Sequence, residues 1–273
     1  MVGKPKKWLY VSVHAVLIVA VIIAVIPLLW MFSISIRSPR DAFGISLEGP
    51  FTLDNYIAVF NQSALFFGNS LIVAGSSTIV ALLFGILTGY GMARSSFKGK
   101  SLVNTLVMST RMFPPVLLAL GFFDIIARVG LYDSRISLVL MNTLFVMPFA
   151  IWMMQSYFRA IPVEIDEAGL IDGCSRGGVL FRLVLPVSTP GLVATLVYAF
   201  LLSWNEYLFA VTFIQSTNRK AATVALAEIM GEWWTHYPRL MAMSVLISLP
   251  IMVLFLLVQK HLVSGLASSS IKG

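Results

Sequence analysis

Three carboxylates, Glu164, Asp166 and Glu167, fall within four residues, and Asp172 follows shortly after, all between two strongly apolar stretches. Side chains of this type can ligate a cation, exchange protons with a substrate, or present negative charge to a partner. The first two uses need companions that the chain lacks. His14, His236 and His261 are scattered without metal-ligand spacing. Cys174 is the single cysteine, which excludes an intrachain disulfide and a cysteine cluster. No nucleophile stands at a readable spacing from a base. Gly99-Lys100-Ser101 has the ending of a phosphate-binding loop, but that loop requires glycine where Arg94 stands. Two uses remain: simple solvation as surface carboxylates, and presentation of charge to something outside the chain.

The elements that position this acidic segment are apolar. Of the 273 residues, 58% are hydrophobic and 11% charged, against about 25% charged in a soluble domain. This composition predicts an all-α membrane protein that crosses the bilayer repeatedly. Residues 15–32 carry no charge and no polar side chain. That run exceeds the core of a signal peptide, about 7–15 residues, so it is read as a retained span. Apolar windows place six transmembrane helices at about 9–33, 68–92, 102–127, 136–157, 189–213 and 240–259, in one domain covering 1–273. No repeat of 20–50 residues is visible. The net charge of +7 fits lysine and arginine retained on the cytoplasmic side, not nucleic-acid binding. Eleven of the 19 basic residues fall on the side that holds both termini and seven on the other, with Arg111 inside a span. Both termini and the acidic segment at 160–187 are therefore expected in the cytoplasm.

Hydrocarbon cannot solvate the charges or loop backbone of 160–187, so the segment must lie outside the bilayer. Pro162 can open a helix, and Glu164, Asp166 and Glu167 suit its positive end. Gly173 is a natural stop, free to take positive φ. A second short helix is expected over 175–183, ended by Pro186. Two short helices cornered at a glycine, tied to a span on each side, make a knob able to transmit force.

Glu167-Ala168-Gly169, Gly173, Leu183 and Leu185-Pro186 resemble the EAA loop of bacterial ABC importer permeases. That pattern reads Glu-Ala-Ala, three residues, Gly, nine residues, Ile, one residue, Leu-Pro. The chain departs from it at Gly169 for alanine and Leu183 for isoleucine. Ser203 to Ala210, reading SWNEYLFA, resembles the fifth-span signature of carbohydrate-type permeases, and the tail from Gly265 resembles that of the smaller maltose-type subunit. Phe51 to Tyr56 and Asn69-Ser70 fit the same family less specifically.

The resemblance implies a type I ABC importer permease fold with a cytoplasmic coupling helix-turn-helix, in the inner membrane of a prokaryote. It implies one half of a heterodimeric pore with a second permease subunit, two separate ATPase subunits and an extracytoplasmic solute-binding protein. No cofactor is then expected on this chain, ATP and Mg belonging to the ATPases. Glu164, Glu167, Ala168, Gly169, Asp172, Gly173, Leu185 and Pro186 become the ATPase-coupling loop, and Ser268, Ser269 and Ser270 a tail contact. The implied cargo is a carbohydrate or sugar alcohol. Alternatives are another small solute such as glycerol phosphate, or an ion-coupled secondary transporter; the latter would place ionisable groups at the midplane and show inverted repeats.

Polar groups within spans are costly and mark candidate paths. Asn205 and Glu206, with Trp204 or Tyr207 as a stacking face, are candidate pore-lining residues, as are Arg111 and Asn142. Interfacial anchoring is the competing use for the Trp and Tyr. Arg111 requires a partner, and Asp124, Trp152 and Gln155 are further intramembrane polar positions. A strongly anionic cargo would favour positive charge along the pore, and only Arg111 offers it.

Overall fold

A computed structural model describes residues 7–39, 42, 51–231 and 236–269. The described residues are helical: α1 Lys7–Ser35, α2 Asp54–Arg94, α3 Lys100–Ser109, α4 Pro115–Arg128, α5 Arg135–Ala160, α6 Glu164–Ile171, α7 Arg176–Val179, α8 Leu185–Val187, α9 Thr189–Trp204, α10 Leu208–Phe213, α11 Ala222–Gly231 and α12 Tyr237–Ser269. Among the described residues α1, α2, α5 and α12 are long and apolar enough to cross a membrane unbroken, and six crossings result if each of two bent pairs counts as one.

Two of the expected crossings are bent. In 102–127, α3 and α4 meet at 95°. Phe113 precedes Pro114 and is extended, with ψ of 129°, because the proline ring excludes the helical conformation of the residue before it. The expected 189–213 crossing is interrupted at 205–207, and its start meets the preceding short helices at 83°. Nor does Pro186 end the second loop helix: the chain passes from α7 through a π-helical turn, Leu180–Val184, into α8. The ladder widens just before a residue that has no N–H to donate.

The described chain falls into two units, one drawn from 1–64 and 226–248 and the other from 65–225 and 249–273. In the first, Asn55 Nδ2 donates to the carbonyls of Ser35 and Arg37 at 2.9 and 2.8 Å, and the Tyr56 hydroxyl meets Ser35 Oγ at 2.7 Å. These contacts explain the polar end of the 51–56 stretch. None of the α1 apolar window is buried within this chain.

The second unit is built along α5, which contributes to three successive apolar clusters. Leu138 and Met141 pack with Phe209 and Phe213; Val146 and Ala150 with Ala81 and Ala199; Met154 and Phe158 with Ile86, Val179 and Val184. Gly85 and Gly89 bring α2 against α5: a Cβ at either would lie 2.9 Å from backbone atoms of Ala150 or Gln155.

Candidate functional site

The acidic segment folds as two helical pieces cornered at a glycine. Helix α6 begins at Glu164, with the carboxylates of Glu164, Asp166 and Glu167 in its first turn. Gly173 takes φ of 83°, a conformation that any side chain would strain. Ser175 then caps α7 by accepting from the Gly178 N–H at 3.2 Å.

Helical periodicity divides α6 into two faces. Glu164, Glu167, Ala168 and Ile171 point outward and are exposed, as is Asp172 beyond the helix; Asp166 and Gly169 point inward and are buried. The outward face holds Glu164, Glu167 and Ala168 of the expected coupling residues, with no described residue covering them. Ile171, at 85% exposure, adds an apolar centre to that face.

Gly169 lies against the second half of the knob. A Cβ there would overlap Leu183 Cδ1 and sit 3.0 Å from Val179 Cγ2. The two positions at which the chain departs from the EAA pattern are thus the two that meet. Glycine at 169 leaves the space that the longer reach of leucine at 183 fills. Leu185 and Pro186 stand in α8, leading to the 83° turn into α9.

Three residues absent from the expected site prove to be central to it. Arg94, at the end of α2, donates through Nε to Asp166 Oδ2 at 3.0 Å, places Nη2 2.8 Å from the same oxygen, and donates through Nη1 to the Phe158 carbonyl at 2.9 Å. The Tyr90 hydroxyl donates to Asp166 Oδ1 at 2.5 Å. Both Asp166 oxygens are therefore held by α2, and one guanidinium joins the ends of α2, α5 and α6. A cavity of about 450 Å³ opens beside this cluster, bordered by Arg94, Ser95, Glu167, Leu170 and Arg176. Two signals in the sequence point to the cluster. Asp166 falls on the same helical face as Gly169, and Arg94 is a cation at the end of an apolar run.

The other candidate region lies at the break between α9 and α10. A cavity of about 690 Å³ is bordered there by Pro115, Val116, Phe145, Asn205, Glu206 and Tyr207. Asn205 and Tyr207 are exposed. Glu206 is engaged: Oε1 accepts from the Phe209 N–H at 2.7 Å and Oε2 from the Ala210 N–H at 3.1 Å. Its carboxylate closes the first turn of α10, whose N–H groups have no intrahelical acceptor. Thr223 Oγ1 donates to the Glu206 carbonyl at 2.8 Å.

Two expected lining residues are corrected. Trp204 is 1% exposed and stacks on Phe200 at 5.6 Å, so it offers no face to the open cavity. Asn142 is 2% exposed, and its Oδ1 and Ser203 Oγ have no hydrogen-bond partner among the described residues, beside a small void next to Glu206. Arg111 finds its partner in the face of Phe149, 5.1 Å from its guanidinium carbon. It stands in the turn between α3 and α4 and lines neither the 450 Å³ nor the 690 Å³ cavity. Asp124 pairs with Arg128 at 2.7 Å on the surface. Trp152 and Gln155 border a third cavity, of about 420 Å³, with Asn104 and Arg159. Ser268 and Ser269 end α12; Ser270 lies outside the described residues.

Polar ties hold the chain beyond α10. Asn69 Nδ2 donates to the carbonyls of Asn218 and Lys220 at 3.0 and 2.9 Å, and Ser70 Oγ accepts from the Ala222 N–H at 2.8 Å. Asp133 adopts φ of 54° and gathers the backbone N–H groups of Gln215 and Ser216, the Ser216 hydroxyl and Arg219. The Ser216 hydroxyl, with these other donors, holds the Asp133 carboxyl below its usual range.

The family model for the inner membrane component of binding-protein-dependent transport systems matches residues 81–268. The chain is 33% identical over 259 residues to the inner membrane ABC transporter permease protein YcjP of Escherichia coli, covering 92% of each. It is 32% identical to the trehalose/maltose transport system permease protein MalG of Thermococcus litoralis, covering 94% of each. Its fold is similar to that of a chain in the crystal structure of a bacterial ABC transporter that imports the acidic polysaccharide alginate, with a TM-score of 0.78 over 95% of this chain and 99% of that one, at 18% identity.

Proposed function

Because the chain belongs to the family of binding-protein-dependent transport system inner membrane components, we propose that its six crossings act as one permease domain, half of a heterodimeric pore for a neutral saccharide or polyol. The family makes the chain a multi-pass membrane transport subunit of an ABC importer, not an enzyme. The ATPases, with their ATP and Mg, are separate subunits, and an extracytoplasmic binding protein delivers the cargo. Both termini lie in the cytoplasm.

The observation that carries this reading is the outward face of α6. Glu164, Glu167, Ala168 and Ile171 are exposed on a helix whose opposite face is tied down by Arg94 and Gly169. A helix fixed on one side and bare on the other suits docking into a cleft on a partner. The saccharide class is supported by relatives whose names specify trehalose, maltose and arabinooligosaccharides. The broken fifth crossing adds polar groups beside the 690 Å³ cavity: exposed Asn205, whose Nδ2 donates to the Leu201 carbonyl at 2.9 Å, and the Tyr207 ring.

Cys174, the only cysteine and half-exposed beside the corner of the knob, allows a direct test. A membrane-impermeant maleimide should label it in inside-out vesicles and not in intact spheroplasts. The assembled complex should hydrolyse ATP only with its ATPase subunits, and cells should take up one of a panel of labelled maltose, trehalose and arabinooligosaccharides. Labelling of Cys174 from outside, or a complex lacking an ATPase, overturns the reading.

A further inference from the structure

We infer that α2 is a rigid rod that carries motion of α6 to the break beside Glu206, with Asp166 and Arg94 as the latch at one end and Asn69 and Ser70 as the clamp at the other. The inference rests on the coupling reading above and specifies the route that the motion takes. Helix α6 is joined by the chain itself to α5 and α9, but both joints bend. On one side Ile161 is extended before Pro162. On the other side Gly173 turns through positive φ, and the chain bends by 83° at Ser188. A push on α6 is therefore absorbed in part by its own connections.

The tie to α2 has no such joint. Asp166 and Arg94 are separated by 72 positions in sequence, and their side chains are 9% and 16% exposed. Separating them would strand two desolvated charges. Tyr90, one turn back on α2, holds the second carboxylate oxygen. From Arg94, α2 runs without a break past Gly89 and Gly85, where it lies against α5, to Ser70 and Asn69. The distance from Arg94 to Ser70 is about 36 Å at 1.5 Å per residue, close to the thickness of a bilayer core, about 30 Å.

At that far end the rod grips the stretch after α10. Asn69 holds the carbonyls of Asn218 and Lys220, and Ser70 holds the Ala222 N–H. Thr223, next in the chain, bonds the Glu206 carbonyl at the break. An uninterrupted series of polar contacts and one unbroken helix thus joins the docking face to the border of the 690 Å³ cavity. Asp166, Arg94, Asn69 and Ser70 are positioning residues in this scheme, acting on the cavity through α2.

Cysteine reporters in the complete complex test the rod without the transported solute. On a Cys174→Ser background, Ile171→Cys reads docking of the ATPase and Asn205→Cys reads the cavity, each by its rate of reaction with N-ethylmaleimide before and after ATP–vanadate trapping. With the rod intact, trapping changes the Asn205→Cys rate by about tenfold, within the range for coupled sites, and the ATPase protects Ile171→Cys. Asp166→Asn reduces the Asn205→Cys response to less than about twofold while Ile171→Cys stays protected; Asp166→Glu restores the response. Asn69→Ala, remote from the charged cluster, produces the same loss. A role confined to folding would remove protection and response together, and that result overturns the proposal. A full Asn205→Cys response in both Asp166→Asn and Asn69→Ala overturns the rod alone. Absence of protection at Ile171→Cys in the otherwise unaltered protein overturns the coupling reading as well.

Discussion

Asp166 and Glu206 are carboxylates at opposite ends of the same unit, and each spends both oxygens on N–H or O–H donors. The donors differ in kind. Asp166 is held by side chains of another helix, Arg94 and Tyr90. Glu206 is held by backbone N–H groups three and four residues ahead of it. A charge bonded across helices resists their separation. A charge bonded to its own next turn sets a local shape and leaves neighbouring helices free to shift. The acid at the knob therefore stiffens the assembly of α2, α5 and α6, while the acid at the break preserves an interruption in a crossing.

The sharpest way to break this comparison is to remove the inner acid. Asp166→Ala leaves the largely desolvated Arg94, 16% exposed, without its counter-charge and is expected to cost about 3 kcal/mol, read as a large drop in the thermal midpoint of the purified protein. Glu167→Ala, one residue along but on the exposed face, should stay within about 0.5 kcal/mol while removing the dependence of ATP hydrolysis on the binding protein. Equal stabilities for the two variants would show that Asp166 is not a tie.

The fit of Gly169 against Leu183 sharpens the same point without touching a charge. Gly169→Ala forces a methyl into Leu183 and should cost about 1–3 kcal/mol as overpacking. Adding Leu183→Ile, which withdraws the methyl from that space, should recover at least half of the loss. Strictly additive losses in the double variant would refute the complementarity.

Among the variants that remove or crowd a contact, the smallest effect is expected at the break. Glu206→Gln retains one acceptor oxygen and loses the other, at a cost of about 1 kcal/mol, the size of a lost helix cap. Amide hydrogen exchange at Phe209 and Ala210 should quicken by about fivefold, with no change in the amides of α6. Faster exchange throughout the unit would mean that Glu206 also ties helices together.

Much of this molecule is legible in its residues. Uninterrupted apolar runs define the long crossings, because only intrahelical hydrogen bonding satisfies a backbone in hydrocarbon. The corner at Gly173 follows from the freedom of glycine, and the acid-rich first turn of α6 from the helix dipole. The spacing from Glu167 to Pro186 identifies the loop by resemblance. Apolar windows measure composition and are blind to direction, so 102–127 and 189–213, apolar apart from positions such as Arg111, Asp124, Asn205 and Glu206, read as crossings although the chain is interrupted at Phe113 and at 205–207.

Composition and helical period alone thus determine that the chain crosses a membrane and carries a polar knob, since transfer free energy and local backbone bonding depend only on nearby residues. Which carboxylate faces out and which is captured depended on tertiary structure. Asp166 and Glu167 are the same chemistry one position apart. Only the arrival of Arg94 and Tyr90, more than 70 positions earlier in sequence, separates a buried tie from an exposed docking residue. In the same way Trp204 and Tyr207 are both aromatic residues near the end of an apolar run, and the packing of Phe200 buries the first while the broken helix exposes the second. Long-range contacts decide such outcomes because a side chain's environment is made by whatever folds against it.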